Sequence, residues 1–291
     1  MSIETLERSP SATAAPAGGI RATLNYLKKS SERPRTYTYD PPPGVPRYSG
    51  EVDARQVIVR DARLGAAAAG LTLDQAGFQL LSHTSALSRA EDYADEERVR
   101  SVYYGEAAEL LRRTTGAEKV LIFDHTLRDS TASPGRAALR EPVRRVHDDQ
   151  TFHSAPNRVR KHLSPEEAEL RLKQRFAIIN LWRPLATVER LPLALCDTRS
   201  ISLQDMVPSD LVYPDKVGEI YSFTWNPNHR WYWFPRLRPD EALLLKIYDS
   251  REDGVARFTA HTAFEDPTGS REAPPRRSIE LRALVFWPAG K

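Results

Sequence analysis

The sequence predicts an α+β protein in which N-terminal helices pack on an all-β core, arranged as a barrel or a double-sheet jelly roll. Two observations support this fold class. After about residue 175, short apolar and β-branched runs follow one another, separated by turn residues such as those at 226–228. Before that point, apolar residues recur at helical spacing. Because the chain contains no internal repeat and no long linker, we expect a single domain over residues 20–291.

The N-terminal elements are predicted from composition and from apolar spacing. Residues 1–19, rich in Ser, Ala and Pro, are expected to form a disordered tail. A first short element is expected at 22–27 and a strand at 56–61, and the Pro-rich segment 39–44 between them is predicted to be a surface strap. A helix is expected over residues 74–87.

The middle of the chain is predicted to alternate between helices and extended segments. A helix is expected over 93–114, where apolar residues recur at helical spacing and Gly116 follows as a stop. Residues 119–124 have the pattern of a buried strand, and 128–141 are expected to form a loop. At Ser164 a capping-box pattern with Pro165 at the first helical position predicts a helix to about residue 174. Short strands are then expected at 176–182, 193–196, 219–225, 230–234, 242–248, 256–262 and 278–287.

The composition is that of a globular protein with ordinary charge. Hydrophobic residues make up 40% of the chain and charged residues 28%, and 42 basic residues against 39 acidic ones leave a net charge of +3. The basic residues are scattered, so no nucleic-acid partner is expected. No apolar run reaches the ~20 residues of a membrane span, and the N-terminus lacks the apolar region of a secretory signal, so no membrane partner is expected. The single cysteine, Cys196, excludes an intramolecular disulfide and suits a reducing, cytoplasmic location.

A possible metal site begins with the His-x-Asp pattern of His147 and Asp149. Residues two apart on an extended strand project from the same face, so an imidazole and a carboxylate would point into one space. His261 offers a third ligand, because it lies between Phe258 and Phe264 in a predicted strand, where an unpaired imidazole is costly to bury. Two histidines and one carboxylate form the facial triad of non-haem Fe(II) oxygenases, which leaves positions open for a co-substrate and oxygen. The alternative is a histidine that only hydrogen-bonds a neighbouring carboxylate.

Two other histidines compete for the place of the distal ligand. His125 is too close in sequence to the predicted strand of His147 and Asp149 to be the distal ligand. His229 follows Pro227 in a predicted turn. We therefore prefer His261.

The last predicted strand carries a candidate anion site. Arg276, Ser278, Glu280 and Arg282 share one strand face. A guanidinium with a hydroxyl two residues later can hold a distal carboxylate, as the tail of 2-oxoglutarate would require. Arg282 is the alternative anchor. The competing interpretation is that these arginines cover a solvent face and pair with Glu280, and for Arg277 we prefer it.

The sequence resembles a known family, the CmcJ/NvfI group of oxidoreductases, which includes AsaB-like hydroxylase/desaturases. The resemblance covers nearly the whole chain after the N-terminal tail, in ordered blocks. These blocks are residues 24–27, 61–63, 120–128, Val146-His147-Asp148-Asp149, Asn180-Leu181-Trp182-Arg183-Pro184, 192–197, Trp231-Tyr232-Trp233-Phe234-Pro235, 240–246, 248–250, His261-Thr262-Ala263-Phe264 and 276–282.

The resemblance implies an Fe(II)/2-oxoglutarate-dependent oxygenase on a double-stranded β-helix (jelly roll/cupin-like), with O2 as the oxidant. The implied substrate is a small molecule of secondary metabolism, and the implied outcomes are hydroxylation, desaturation, cyclisation or endoperoxide formation. Asn180, Trp182, Arg183 and Tyr232 are the expected substrate-binding residues, although packing explains Trp182 and Tyr232 equally well. The runner-up function is a cupin-like small-molecule-binding protein without redox activity. For assembly, a homodimer is one expectation.

Overall fold

The computed structural model describes residues 18–64, 70–130, 139–270 and 272–290. Within these ranges, fifteen strands form two facing sheets of nine and six strands. The strands are β1 (Gly19–Leu27), β2 (Arg35–Tyr37), β3 (Val52–Asp61), β4 (Phe78–Ser82), β5 (Lys119–Asp129), β6 (Leu139–Arg140), β7 (His147–Asp148), β8 (Phe176–Pro184), β9 (Leu193–Cys196), β10 (Met206–Val212), β11 (Val217–Phe223), β12 (Trp231–Trp233), β13 (Glu241–Asp249), β14 (His261–Ala263) and β15 (Arg277–Phe286). The helices are α1 (Glu96–Arg98), α2 (Tyr104–Thr115), α3 (Ala155–His162) and α4 (Pro165–Leu172), with short 3-10 helices at Ala90–Ala94, Thr198–Ser200 and Leu203–Asp205.

The two sheets follow a jelly-roll order. The larger sheet runs β1-β3-β12-β9-β14-β7-β11-β10-β2, and the smaller sheet runs β4-β13-β8-β15-β5-β6. Most neighbouring strands are antiparallel, and β2/β10, β3/β12 and β5/β6 are parallel pairs. The inward faces of both sheets enclose an apolar core that includes Phe78, Ile178, Leu195, Leu243 and Phe286. This arrangement is the predicted double-stranded β-helix.

A helical layer covers the outer face of the smaller sheet. A π-helical turn, Val99–Tyr103, joins α1 to α2, so the helix is continuous to Thr115 and ends at Gly116 in the left-handed conformation. Its buried face, with Tyr103 and Leu111, packs on the outward residues of β8 and β15. Each fully buried side chain of this kind contributes about 1.5–3 kcal/mol. Burial on both faces explains why β8 shows no alternation of apolar and polar residues.

The larger sheet contains an apolar cluster of its own. Leu24 and Tyr26 of β1 and Val59 of β3 belong to it, together with Cys196 and Trp231. No helix in the described ranges is long and apolar enough to cross a membrane.

Most predicted elements agree with the structure. Six of the seven strands expected in the C-terminal half are present, and Ser164 accepts a hydrogen bond from the Glu167 amide at the start of α4, as the capping pattern predicts. The first short element lies in β1, which starts at Gly19, so the predicted tail extends too far at that residue; residues 1–17 are outside the described ranges. The predicted loop at 128–141 is wrong at its start, because β5 continues to Asp129, while 131–138 are also outside those ranges.

Two further predictions of secondary structure are wrong. Residues 74–87 do not form a helix: Gly77 turns the chain with a φ of 89°, and β4 follows it and pairs with β13. Phe78 faces inward and lies opposite Leu245, and successive side chains of β4 alternate between the two faces of the sheet. The helical interpretation overlooked this period of two residues. The strand expected over 256–262 is limited to β14, which starts only at His261.

Candidate metal centre

His147, Asp149 and His261 meet on the inward face of the larger sheet. β7 and β14 are antiparallel neighbours, and His147 pairs directly with His261, so both imidazoles project from the same face. Their ring centroids are 4.3 Å apart. Asp149 follows the end of β7 and returns to that face. One ligand atom from each of the three residues lies within 4.8 Å of the others, which is close enough for one metal ion.

The backbone sets the tautomer of both histidines. Nδ1 of His147 lies 2.8 Å from the carbonyl oxygen of Arg145, and Nδ1 of His261 lies 2.9 Å from that of Thr259. Because a carbonyl only accepts, we assign the ring hydrogen to each Nδ1, which leaves each Nε2 with a free lone pair. Burial, together with the neighbouring His261, lowers the pKa of His147 to about 4. The imidazole is therefore neutral near pH 7, as a metal ligand must be.

Asp149 is held as an anion with one oxygen already engaged. Its Oδ2 accepts a hydrogen bond from Asn180 Nδ2 at 2.8 Å and a longer one from Arg282 Nε at 3.4 Å. Its Oδ1 lies 3.6 Å from His147 Nε2. Burial alone would raise the pKa of Asp149, but Arg282 and the two histidines outweigh it and lower the pKa below its ordinary value.

A narrow cavity runs from the two histidines into the space between the sheets. Its walls are His147, His261, Val143, Leu193, Leu245, Ala263, Trp182, Arg128, Arg276 and Glu280. The apolar part of this lining limits the access of water. The charged part brings Arg276, one of the predicted anchors, into the same cavity as His147 and His261.

Arg276 and Ser278 carry unused donors in this region. Both residues are buried, and Arg276 donates from Nη1 to the Leu191 carbonyl at 2.6 Å. Neither Arg276 Nε nor Ser278 Oγ has a hydrogen-bond partner in the described part of the chain. Burial, with Arg128 nearby, lowers the pKa of Arg276 to about 9, so the guanidinium remains charged at neutral pH. Because an unpaired buried donor costs about 1–3 kcal/mol, these atoms are suited to receive an anionic ligand.

Unlike Arg276, Arg282 has several side-chain partners for its guanidinium. Its Nη1 donates to Asp124 at 2.9 Å and to Thr126 at 3.0 Å, its Nε reaches Asp149, and its Nη2 lies 3.5 Å from Glu280. These carboxylates raise the pKa of Arg282 against the opposing effect of burial. The guanidinium is therefore bound to protein carboxylates, one of which is the candidate metal ligand Asp149.

The four predicted substrate-binding residues do not lie together. Trp182 lines the cavity and faces the Arg276 guanidinium, whose carbon lies 5.6 Å from the ring centroid. Asn180 shares this strand face but donates to Asp149 and Glu280. Arg183 points to the opposite face, where it donates to Tyr103 and to the carbonyls of His83 and Pro239, so the structure does not bring it to the cavity. Tyr232 packs in the inner core against Phe78, outside the cavity lining.

The competing histidines belong to other parts of the fold. His125 contacts Tyr104 and Glu96 under the helical layer. His229 lies between Tyr26 and Asp205. Neither joins the cluster of metal-ligand atoms found among the described residues.

The sequence interpretation missed Arg128, and it treated Glu280 only as a partner of the arginines. Arg128 on β5 pairs directly with Ser278 on β15, and its Nη2 lies 3.4 Å from Glu280 Oε2. A signal was available, because Asp124, Thr126 and Arg128 alternate in β5 as polar residues on one face.

Comparisons with known proteins identify relatives of this chain. The family described as "Oxidoreductase/YMDC permease-like domain" matches residues 24–286. The hydroxylase/desaturase efuI of Hormonema carpetanum is 34% identical over 92% of this chain and 95% of its own length. The alpha-ketoglutarate-dependent dioxygenase phiK of a fungal species is also 34% identical, over 96% of this chain and all of its own length. A solved structure of the iron and alpha-ketoglutarate-dependent endoperoxidase NvfI superposes with a TM-score of 0.83 at 28% identity, covering 93% of this chain and 99% of that one. The chain belongs to the oxidoreductase family that contains these hydroxylase/desaturases and Fe(II)/2-oxoglutarate-dependent oxygenases.

Proposed function

We propose that this protein is an Fe(II)/2-oxoglutarate-dependent oxygenase that removes hydrogen from a C–H bond of a small molecule of secondary metabolism. The outcome would be hydroxylation, desaturation or oxidative cyclisation. The observation that carries the proposal is the cluster of two imidazoles and one ionised carboxylate beside a cavity in which the guanidinium of Arg276 has an unpaired donor.

Three residues are proposed to hold the iron. His147 and His261 would bind through Nε2, since each Nδ1 is engaged by a backbone carbonyl, and Asp149 would bind through Oδ1. When bound, Fe(II) supplies the activation of oxygen that the side chains cannot perform. The chain's own contribution is to fix the ligands, exclude water and orient the substrate.

The tail of 2-oxoglutarate is proposed to bind Arg276 and Ser278. Both have an unpaired donor in a buried environment, and a carboxylate would accept from each. Arg128 adds a second guanidinium to the same cavity, although Glu280 partly neutralises it. Arg282 is the weaker candidate, because Asp124, Asp149 and Glu280 surround its guanidinium.

The substrate is proposed to approach an apolar wall beside the metal. Trp182, Leu193 and Leu245 supply that wall in the cavity. Of the other predicted substrate residues, Asn180 and Tyr232 lie on inward-facing surfaces and Arg183 faces the helical layer. The cytoplasmic location and the homodimer remain predictions from the sequence.

An anaerobic titration tests this proposal. Fe(II) should bind with a stoichiometry of one, and addition of 2-oxoglutarate and then oxygen should release succinate, together with oxidised product from a panel of metabolites. Asp149→Ala should abolish iron binding, whereas the matched variant His229→Ala should retain it. A protein that binds metabolites but neither Fe(II) nor 2-oxoglutarate would instead be the cupin-like binding protein without redox activity.

A further inference from the structure

We propose that Asn180 and Glu280 are positioning residues, which together restrict Asp149 to a single metal-binding oxygen. This inference rests on the proposed iron centre and adds to it a role for two side chains outside the ligand triad. We call the set of three side chains, those of Asn180, Glu280 and Asp149, the amide clamp.

The clamp uses both hydrogens of one amide nitrogen. Asn180 Nδ2 lies 2.8 Å from Asp149 Oδ2 and 2.8 Å from Glu280 Oε1. An amide nitrogen has two hydrogens, so one goes to each carboxylate. The opposite orientation would place Asn180 Oδ1 against two anionic oxygens. Glu280 therefore fixes the orientation in which Asn180 donates to Asp149.

The strand register explains why these groups meet. Asn180 on β8 pairs directly with Arg282 on β15, and Glu280 is two residues from Arg282 on the same face. Arg282 strengthens the clamp, because its Nε lies 3.4 Å from Asp149 Oδ2 and its Nη2 lies 3.5 Å from Glu280 Oε2. Asp149 Oδ2 thus faces two donors, and Oδ1 is the oxygen turned toward His147.

Burial of Glu280 argues for a specific role. Glu280 is 5% exposed, and burial and the nearby Asp149 carboxylate oppose its ionisation, but the guanidiniums of Arg282 and Arg128 outweigh them and lower its pKa. Two buried carboxylates that share one amide are unfavourable unless cations compensate, and Arg282 and Arg128 lie beside them. If Glu280 served only to pack the core, an apolar residue at this position would do so equally well.

The consequence concerns the number of free positions on the metal. In a facial triad, two imidazole nitrogens and one carboxylate oxygen leave the opposite face open. A co-substrate that binds through two atoms occupies most of that face and leaves one position for oxygen. If Asp149 bound through both oxygens, it would compete for that position. The amide clamp would oppose this, because Oδ2 already accepts hydrogen bonds from Asn180 and Arg282.

Nitric oxide provides a readout that does not depend on turnover. Under anaerobic conditions it occupies the position of oxygen on an Fe(II)–2-oxoglutarate protein and gives a characteristic electron paramagnetic resonance signal. Asn180→Leu keeps a similar shape but removes both donors. With iron loaded to saturation, we expect this variant to bind nitric oxide at least tenfold more weakly than the wild type. Glu280→Leu should act in the same direction with a smaller effect, because Asn180 remains but its orientation is no longer fixed.

The matched control is Thr126→Val. Thr126 lies opposite Glu280 in the strand register, but in the described structure its hydroxyl accepts from Arg282 and makes no hydrogen bond to Asp149 or Glu280, so nitric oxide binding should equal that of the wild type. Unchanged binding in an iron-loaded Asn180→Leu variant would overturn the proposal.

A crystal structure of the wild-type protein loaded with Mn(II) gives a decision even if the variants do not fold. We expect Asp149 to contact the metal through Oδ1 alone, with Oδ2 on Asn180. A carboxylate bound through both oxygens would refute the clamp while leaving the proposed function intact. Failure of the wild type to bind Fe(II) would refute the proposed function itself.

Discussion

Replacement of Arg276 by alanine tests the binding of the co-substrate most directly. Arg276 is 3% exposed, and the only hydrogen bond of its guanidinium in the described part of the chain goes to the Leu191 carbonyl. Loss of a buried, hydrogen-bonded charge partner costs about 2–5 kcal/mol. Since about 1.4 kcal/mol corresponds to a tenfold change, the affinity for 2-oxoglutarate should fall by tens- to thousands-fold. We expect the upper part of this range, because the buried site offers little water to replace the guanidinium.

The affinity can be measured without substrate. Binding of 2-oxoglutarate to the Fe(II) protein produces a visible charge-transfer band, which can be titrated anaerobically. Iron affinity should remain near normal in Arg276→Ala, because Arg276 makes no hydrogen bond to His147, Asp149 or His261 in the described structure. The matched control is Arg277→Ala: this neighbour is 38% exposed in its side chain and lies near Glu91 and Asp129, so its loss should leave the affinity for 2-oxoglutarate unchanged.

Arg282→Ala separates the two candidate anchors. Because Arg282 contacts Asp149, we expect this change to impair the metal centre first. A large loss of 2-oxoglutarate affinity in Arg282→Ala, with normal iron binding and no effect of Arg276→Ala, would refute the assignment of Arg276.

Further predictions concern the hydroxyl, the metal, the corrected strand and the cysteine. Ser278→Ala should weaken 2-oxoglutarate binding by roughly 10- to 100-fold in the same titration, since a hydrogen bond to a charged group contributes about 1.5–3 kcal/mol; an effect on iron affinity instead would contradict its role. Fe(II) should bind more tightly in the presence of 2-oxoglutarate than in its absence, as a competition titration with a chelator would measure. Gly77→Ala should lower the free energy of unfolding by about 2 kcal/mol or more in urea, because φ is positive and the added Cβ would lie 2.5 Å from the Phe258 carbonyl oxygen; full stability would argue against the turn before β4. Cys196 should resist a thiol reagent at pH 8 until the protein unfolds, because burial raises its pKa to about 12; rapid reaction of the folded protein would contradict this.

The fold was predictable where local signals and burial agree. Ser164 and Pro165 marked the start of α4, and Gly116 marked the end of α2, because capping acts over a few residues. The segment around Phe78 was not predictable in this way. Its strand character depends on pairing with β13, more than 160 residues later, and tertiary contacts override a short local pattern.

The site was predictable to the extent that strand parity and residue chemistry determine it. The two-residue spacing of His147 and Asp149 and of Arg276 and Ser278 indicated which side chains would share a face. The sequence could not indicate that Asn180 donates to Asp149, since that contact joins β8 to the end of β7 across the core. Nor could it distinguish Arg276 from Arg282, because the difference lies in which carboxylates each guanidinium meets in space.

We expect iron to bind more tightly in the presence of 2-oxoglutarate than in its absence because of the charges enclosed by the sheets. Three guanidiniums, those of Arg128, Arg276 and Arg282, lie near two largely buried carboxylates, Asp149 and Glu280, which leaves one excess positive charge if the half-exposed Asp124 is set aside. Fe(II) alone would raise that excess to three charges, and 2-oxoglutarate, a dianion, would return it to one. Charges separated by low-dielectric protein interact more strongly than in water, so each ligand should favour the other. By linkage, the factor by which 2-oxoglutarate strengthens iron binding must equal the factor by which iron strengthens 2-oxoglutarate binding. Independent binding of the two ligands would mean that they do not share this cavity.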